Sequence, residues 1–163
     1  MKVKTYVLAG ATVLLYVSAA SKDVRYEGVT PGDLAAGIES IGNGKGSDFR
    51  NRSGRYTLLS FWASYDAGSR ASNVMLSNEV SRLNDDKIAL HSVSFDENPT
   101  VFSVTVRIDK LDETTQFNEV EGKNSKLYRK YNLKKRFTNI LINQDGIIVA
   151  KDIRPEQLAV LVN

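Results

Sequence analysis

Five residues, Asp66-Ala67-Gly68-Ser69-Arg70, follow closely on the apolar run Tyr56-Thr57-Leu58-Leu59-Ser60-Phe61-Trp62-Ala63 and set a carboxylate and a hydroxyl three residues apart. At the start of a helix that spacing puts both side chains on the first turn. There the backbone N–H groups lack partners and the helix dipole is positive. An aspartate in that place accepts backbone N–H bonds as a cap. Together with Tyr65 and Arg70, the same side chains would also form a polar pocket for a small ligand or a peptide. A third reading makes Asp66 the general base of a non-redox enzyme.

Other chemistries find fewer residues to use. The chain contains no cysteine and one histidine, His91. That composition removes thiolate nucleophiles and thiolate ligands, and it excludes nitrogen- or sulfur-rich zinc and copper sites, so neither a metal nor a cofactor is expected. A Ser-His-Asp set can be written from Ser60 or Ser69 with His91 and Asp96, but no Gly-x-Ser-x-Gly elbow is present. His91 therefore reads as a structural residue of a core strand. Asp96, Glu97, Asp109, Asp112 and Glu113 lack the spacing of a calcium loop and read as solvated charges. Gly42-Asn43-Gly44-Lys45-Gly46 lacks the Gly-Lys-Ser/Thr ending of a phosphate loop and reads as a flexible connection. Trp62, Tyr128 and Tyr131 read as packing aromatics.

The elements that must position these residues follow from hydrophobic patterning. The run 56–63 is apolar on both faces, as in a central parallel strand. Val74, Met75, Val80 and Leu83 give 69–83 the spacing of an amphipathic helix. A second buried strand spans 88–95, and a helix is expected within 99–108 despite its β-branched residues. A short helix over 123–131 comes next. Thr138–Asn143 and Ile147–Ala150, joined through Gln144-Asp145-Gly146, predict a hairpin, because glycine tolerates the positive backbone angle of a tight turn. Pro155 opens a closing helix to Val162. The N-terminal part is less periodic: a short strand is expected near Val24–Tyr26 and a helical turn around Asp33–Ile38.

The first twenty residues read as a signal peptide. Lys2 and Lys4 precede an apolar stretch from Tyr6 to Val17, and Ser18-Ala19-Ala20 supply the small residues of a cleavage site. The stretch is short for a membrane span, which takes roughly 20 residues. The expectation is an exported, periplasmic or extracytoplasmic domain over 21–163, membrane-associated only if the leader stays uncleaved or is lipidated. A lipoprotein signal would carry cysteine where Ala20 stands. With 42% hydrophobic and 25% charged residues, the 163-residue chain suits one globular domain rather than a disordered one. Net charge is +3 from 22 basic and 19 acidic residues, and loss of Lys2 and Lys4 brings it to +1. The run Lys126, Arg129, Lys130, Lys134, Lys135 and Arg136 reads as a solvated helix face, so no nucleic-acid partner is expected.

The element order β-α-β-α-(α)-β-β-α, with three local signatures, resembles the thioredoxin fold, closest to exported redoxin or TlpA-like proteins (AhpC/TSA-related). The signatures are Leu58-Leu59-Ser60-Phe61-Trp62-Ala63-Ser64, Val93-Ser94-Phe95-Asp96-Glu97, and Ile140-Leu141-Ile142-Asn143-Gln144-Asp145-Gly146-Ile147-Ile148. The resemblance runs from about Gly28 to the C-terminus. It implies an α/β domain: a central mixed sheet flanked by helices, ending in a hairpin and a helix. It places Asp66 and Ser69 on the two cysteine positions of the family's Cys-x-x-Cys motif, Tyr65 on its tryptophan, and Phe137 on the cis-proline position. Arg70 keeps the basic residue that follows. Dithiol chemistry needs a low-pKa thiolate and a resolving thiol, and this chain has neither.

The implied function is a redox-inactive binding or scaffolding module for an unidentified peptide, protein or small molecule. Its expected groove comprises Trp62, Tyr65, Asp66, Ser69, Arg70, Phe137 and Thr138. The alternative is a TlpA-like thiol-disulfide oxidoreductase whose native cysteines at positions 20, 66 and 69 have been substituted.

Overall fold

The computed structural model of the chain describes residues 26–37, 54–83 and 86–162. The leader, 1–20, and the glycine-rich 42–46 lie outside the described residues.

Strand β3 (Tyr56–Trp62) is buried from Thr57 onward because it has a neighbour on each side and a packed layer on each face. It runs parallel to β4 (Ile88–Ser94) and antiparallel to β6 (Asn139–Ile142). With β5 (Gln116–Asn118) and β7 (Ile148–Lys151) the five-stranded sheet has the order β5-β4-β3-β6-β7. Alternation of side chains along a strand then sorts the core. Leu58 and Leu90 face α1 (Ala67–Leu83) and α4 (Pro155–Leu161), where they pack with Leu76, Leu141 and Leu158. Trp62 continues that face and packs with Val106 of α2 (Pro99–Ile108) and with Leu111. Leu59, Phe61, Val93 and Phe95 point the other way, onto Leu127, Tyr128 and Tyr131 at α3 (Lys126–Lys130). The result is an α/β/α sandwich over a mixed sheet, closed by a hairpin and a helix, as the sequence implied.

The helices start where local chemistry allows. Helix α1 begins two residues earlier than its apolar spacing indicates, because Asp66 caps it. Helix α2 matches the sequence reading, with Asn98 accepting from the N–H groups of Thr100 and Val101. The helix expected over 123–131 is divided. A single 3₁₀ turn covers Gly122–Asn124, then the Ser125 hydroxyl caps α3 by accepting from Tyr128 N–H. In the hairpin turn, Gly146 takes a positive φ of 80°, and the Asn143 side chain accepts from Asp145 and Ile147 N–H.

The N-terminal expectations fail locally. Strand β1 is Glu27–Gly28, so Tyr26 precedes it, and Val24 lies outside the described residues. The helical turn expected from Asp33 is instead strand β2 (Leu34–Ala35), parallel to β1. The hairpin holds it extended: Gly32 N–H donates to Ile148 O, and Ala35 N–H to Gly146 O. Tyr131 completes the clamp with a buried hydroxyl that donates to Ala36 O at 2.5 Å. Strand β5 had no counterpart in the sequence reading; Gln116-Phe117-Asn118 is short and mixed, and becomes a strand by pairing with β4.

Candidate functional site

The turn from β3 into α1 contains the two positions singled out by sequence. Asp66 Oδ1 accepts the Ser69 N–H at 2.8 Å, and Asp66 O accepts from Arg70 N–H at 3.0 Å. The Ser69 hydroxyl donates to Asp66 O at 3.2 Å and accepts from Ala63 N–H at 3.3 Å. Asp66 is thus an N-cap, and its charge lies at the positive end of the helix dipole.

The same turn is anchored on its other side by Asp96. This carboxylate is 2% exposed, which corrects its reading as a solvated charge. It accepts from Ser64 N–H at 3.1 Å, Ser64 Oγ at 2.6 Å and Ser94 Oγ at 2.7 Å, while Asn118 Nδ2 donates to its main-chain oxygen at 2.8 Å. The acceptor is buried because these donors satisfy it. Asp109 is also no free surface charge: it takes Arg70 in a two-pronged pair, with N–O distances of 2.7 and 2.6 Å. The hydrogen bonds from Arg70 to this carboxylate push the guanidinium's pKa up further.

Facing α1, the segment before β6 presents Phe137 and Thr138. The peptide bonds of the described residues are all trans. Phe137 stacks on Phe95 at a centroid distance of 5.8 Å and meets Tyr128 edge-on at 6.2 Å. Phe61 N–H donates to Thr138 O at 3.0 Å, and the Thr138 hydroxyl donates to Asp152. Asp152 adopts a left-handed φ of 55° between β7 and α4 and also pairs with Arg136.

Between these walls lies an open cleft of about 340 Å³, lined by Asp66, Ser69 and Ser72 on α1's side and by Arg136–Asn139 and Asp152–Arg154 opposite. The structure therefore brings together Asp66, Ser69, Phe137 and Thr138 from the sequence-derived groove. The other three members lie elsewhere. Trp62 is wholly buried, its ring 6.2 Å from Phe102. Arg70 is turned to Asp109 and ties α1 to the end of α2. Tyr65 is 56% exposed, next to Phe137 but outside the cleft lining, with Lys123 Nζ 5.2 Å above its ring. Burial, reinforced by Tyr128 and nearby carboxylates, pushes the Tyr65 phenol's pKa up.

Sequence reasoning missed Ser72, Arg136, Asp152 and Arg154. The sequence reads Arg136 as part of a basic helix face, but α3 ends at Lys130, so Lys134, Lys135 and Arg136 belong to the segment after it. No spacing rule links positions 136 and 152; closure of the β6–β7 hairpin brings them together.

The hydrolase set written from Ser60 fails on geometry, and the Ser69 hydroxyl is bonded within its own turn to Asp66 O and Ala63 N–H. His91 is in register with Leu59, whereas Ser60 is in register with Ser92, so His91 and Ser60 lie on opposite faces of the sheet. His91 stacks on Phe117 at 5.5 Å, and burial pushes its pKa down. Among the described residues no three or more histidine, aspartate or glutamate side chains converge on a metal position. No helix among them is long and apolar enough to cross a membrane.

Neither a protein-family model nor a curated protein matches the sequence. Solved structures do. A thioredoxin-like protein from Parabacteroides distasonis is 52% identical, with a TM-score of 0.77 over 84% of this chain and 97% of its own. The thioredoxin domain of a thiol-disulfide oxidoreductase from Bacteroides vulgatus shares the fold at 22% identity (TM-score 0.67, 82% of this chain, 99% of that one). So does a thiol-disulfide oxidoreductase from Bacteroides fragilis at 23% identity (TM-score 0.62, 83% and 96%).

Proposed function

This chain belongs to the thioredoxin-like proteins, and on that premise we propose that it is an exported member without dithiol–disulfide chemistry, a binding or scaffolding module that works through the cleft beside Asp66. In this reading residues 1–20 are the leader and 21–163 the working domain. The ligand is a peptide, a partner protein or a small molecule.

One observation carries the reading. At the N-terminus of α1, where the family's chemistry needs two thiols, Asp66 and Ser69 hydrogen-bond to each other's backbone, and the cleft next to them remains open. Disulfide exchange requires a sulfur nucleophile that forms a mixed disulfide and a second thiol that resolves it. A carboxylate at position 66 and a hydroxyl at 69 do neither. What remains is a preformed concave surface with converging polar groups, the usual setting of a binding site.

The test is an insulin-reduction assay on the full chain beside the triple variant Asp66→Cys, Ser69→Cys, Phe137→Pro. The parent is expected to be inert and the variant to gain reductase turnover. A reducing parent would overturn the reading; a folded but inert variant would mean that the site is misplaced. The names of the structural neighbours favour a second reading, an oxidoreductase whose native cysteines have been replaced. Cysteine codons at positions 20, 66 and 69 of the natural gene would establish it.

A further inference from the structure

The polar groups of the cleft divide into engaged and open atoms, and the open ones are segregated by charge. On the α1 side, Asp66 uses one carboxylate oxygen on Ser69 N–H, while the second receives no hydrogen bond from a described residue. The Ser72 hydroxyl, one turn further along, likewise makes no hydrogen bond among the described residues. On the opposite wall stand two guanidinium groups. Arg136 engages Asp152 through one nitrogen, and Arg154 meets Glu156 at 3.3 Å through one nitrogen. Their side chains remain 68% and 70% exposed, so several N–H donors stay available. Asp152 holds the Arg136 end in place from a left-handed backbone conformation that costs an aspartate energy, and such strain concentrates at functional sites. Half-buried Phe137 stands beside Arg136 in that opposite wall.

This arrangement selects by charge. The cleft carries two carboxylates, Asp66 and Asp152, and two guanidinium groups, Arg136 and Arg154. A simple anion would meet Arg136 and Arg154 but be repelled by Asp66; a simple cation would meet the reverse. A ligand of zero net charge with its charges separated satisfies both walls. We propose that the cleft takes a small zwitterion bearing an apolar side chain, such as a free dipeptide. Its ammonium group donates to the open Asp66 oxygen, its carboxylate accepts from Arg136 and Arg154, and its side chain lies on Phe137. The volume, about 340 Å³, is at the small end for ligand cavities and suits such a molecule. This inference rests on the cleft being the binding site proposed above and names the class of molecule it holds.

The test uses the ¹⁵N-labelled full chain titrated with L-alanyl-L-phenylalanine, its N-acetyl form and its C-terminal amide. The free dipeptide is expected to give saturable shifts confined to residues 66–72, 136–139 and 152–154, and blocking either end should weaken binding about tenfold. Asp66→Asn preserves the helix cap, because asparagine caps as well as aspartate. In that variant the free and N-acetylated dipeptides should bind alike, and in the double variant Arg136→Gln, Arg154→Gln the free and amidated forms should do so. Equal binding of all three peptides to the parent would overturn the zwitterion inference and leave the cleft as a binding site. Shifts elsewhere, or none up to about 10 mM, would also overturn it. The wider reading of the cleft stands or falls separately, on the triple-variant assay.

Discussion

Two polar clusters flank the turn between β3 and α1, and they are built on opposite principles. Around Asp96 the carboxylate is buried and matched: Ser64 N–H, Ser64 Oγ and Ser94 Oγ all converge on it. Around Asp66 the groups are half-buried or exposed, and the second Asp66 oxygen and the Ser72 hydroxyl have no hydrogen-bond partner among the described residues. The first cluster fixes the turn; the second leaves capacity for something that arrives from outside. Removing a member of the first leaves buried donors stranded, while removing an open group of the second takes away little that the fold uses.

The sharpest break of that contrast is Asp96→Ala. It is expected to cost about 3 kcal/mol, since each stranded buried donor costs on the order of 1–3 kcal/mol. Urea denaturation would measure it, and a loss below about 1 kcal/mol would contradict the anchoring role. Asp66→Ala should cost about 1 kcal/mol, the usual value of an N-cap, measured in the same way. A smaller effect comes with pH. Burial first, then Arg55, pushes His91 below its ordinary 6.5. The unfolded chain therefore binds a proton that the native chain resists. His91's contribution is intact above about pH 6.5 and declines as pH falls toward the lowered native pKa. Denaturation midpoints taken from about pH 7 down to pH 5 should decline, and His91→Gln should flatten that part of the slope. The smallest effect belongs to Ser72→Ala, within about 0.5 kcal/mol of zero, because the open hydroxyl supports nothing in the fold. A large loss there would erase the distinction between the clusters.

Much of the architecture was legible before the structure, because hydrophobic periodicity carries it. Tyr56 to Ala63 and Ile88 to Phe95 read as strands because their runs are apolar on both faces, and the hairpin was marked by Asp145-Gly146. Strand β5 was not legible, since Gln116-Phe117-Asn118 owes its conformation to the edge of β4 rather than to its own composition. Strand β2 was misread for a similar reason: the hairpin's carbonyls, far along the chain, hold Gly32 and Ala35 extended. At the site, Asp66 as a cap followed from its place before a helix, and its pairing across the cleft with Phe137 followed from family resemblance. The burial of Asp96 was hidden because an aspartate in a loop is ordinarily solvated; only Ser64 and Ser94, meeting it in space, reverse that. Arg136 and Asp152 became neighbours through tertiary closure alone.

Trp62 lost its place in the groove and gains another use. It is the chain's single tryptophan, fully buried against Phe102 and Val106. The tryptophan emission of the folded protein therefore comes from one buried indole, and its red shift on exposure to water would report loss of the α1–α2 core at a single address. An occupant of the neighbouring cleft need not touch that indole. Stability can thus be followed optically while the cleft is filled, with the protein carrying its own label.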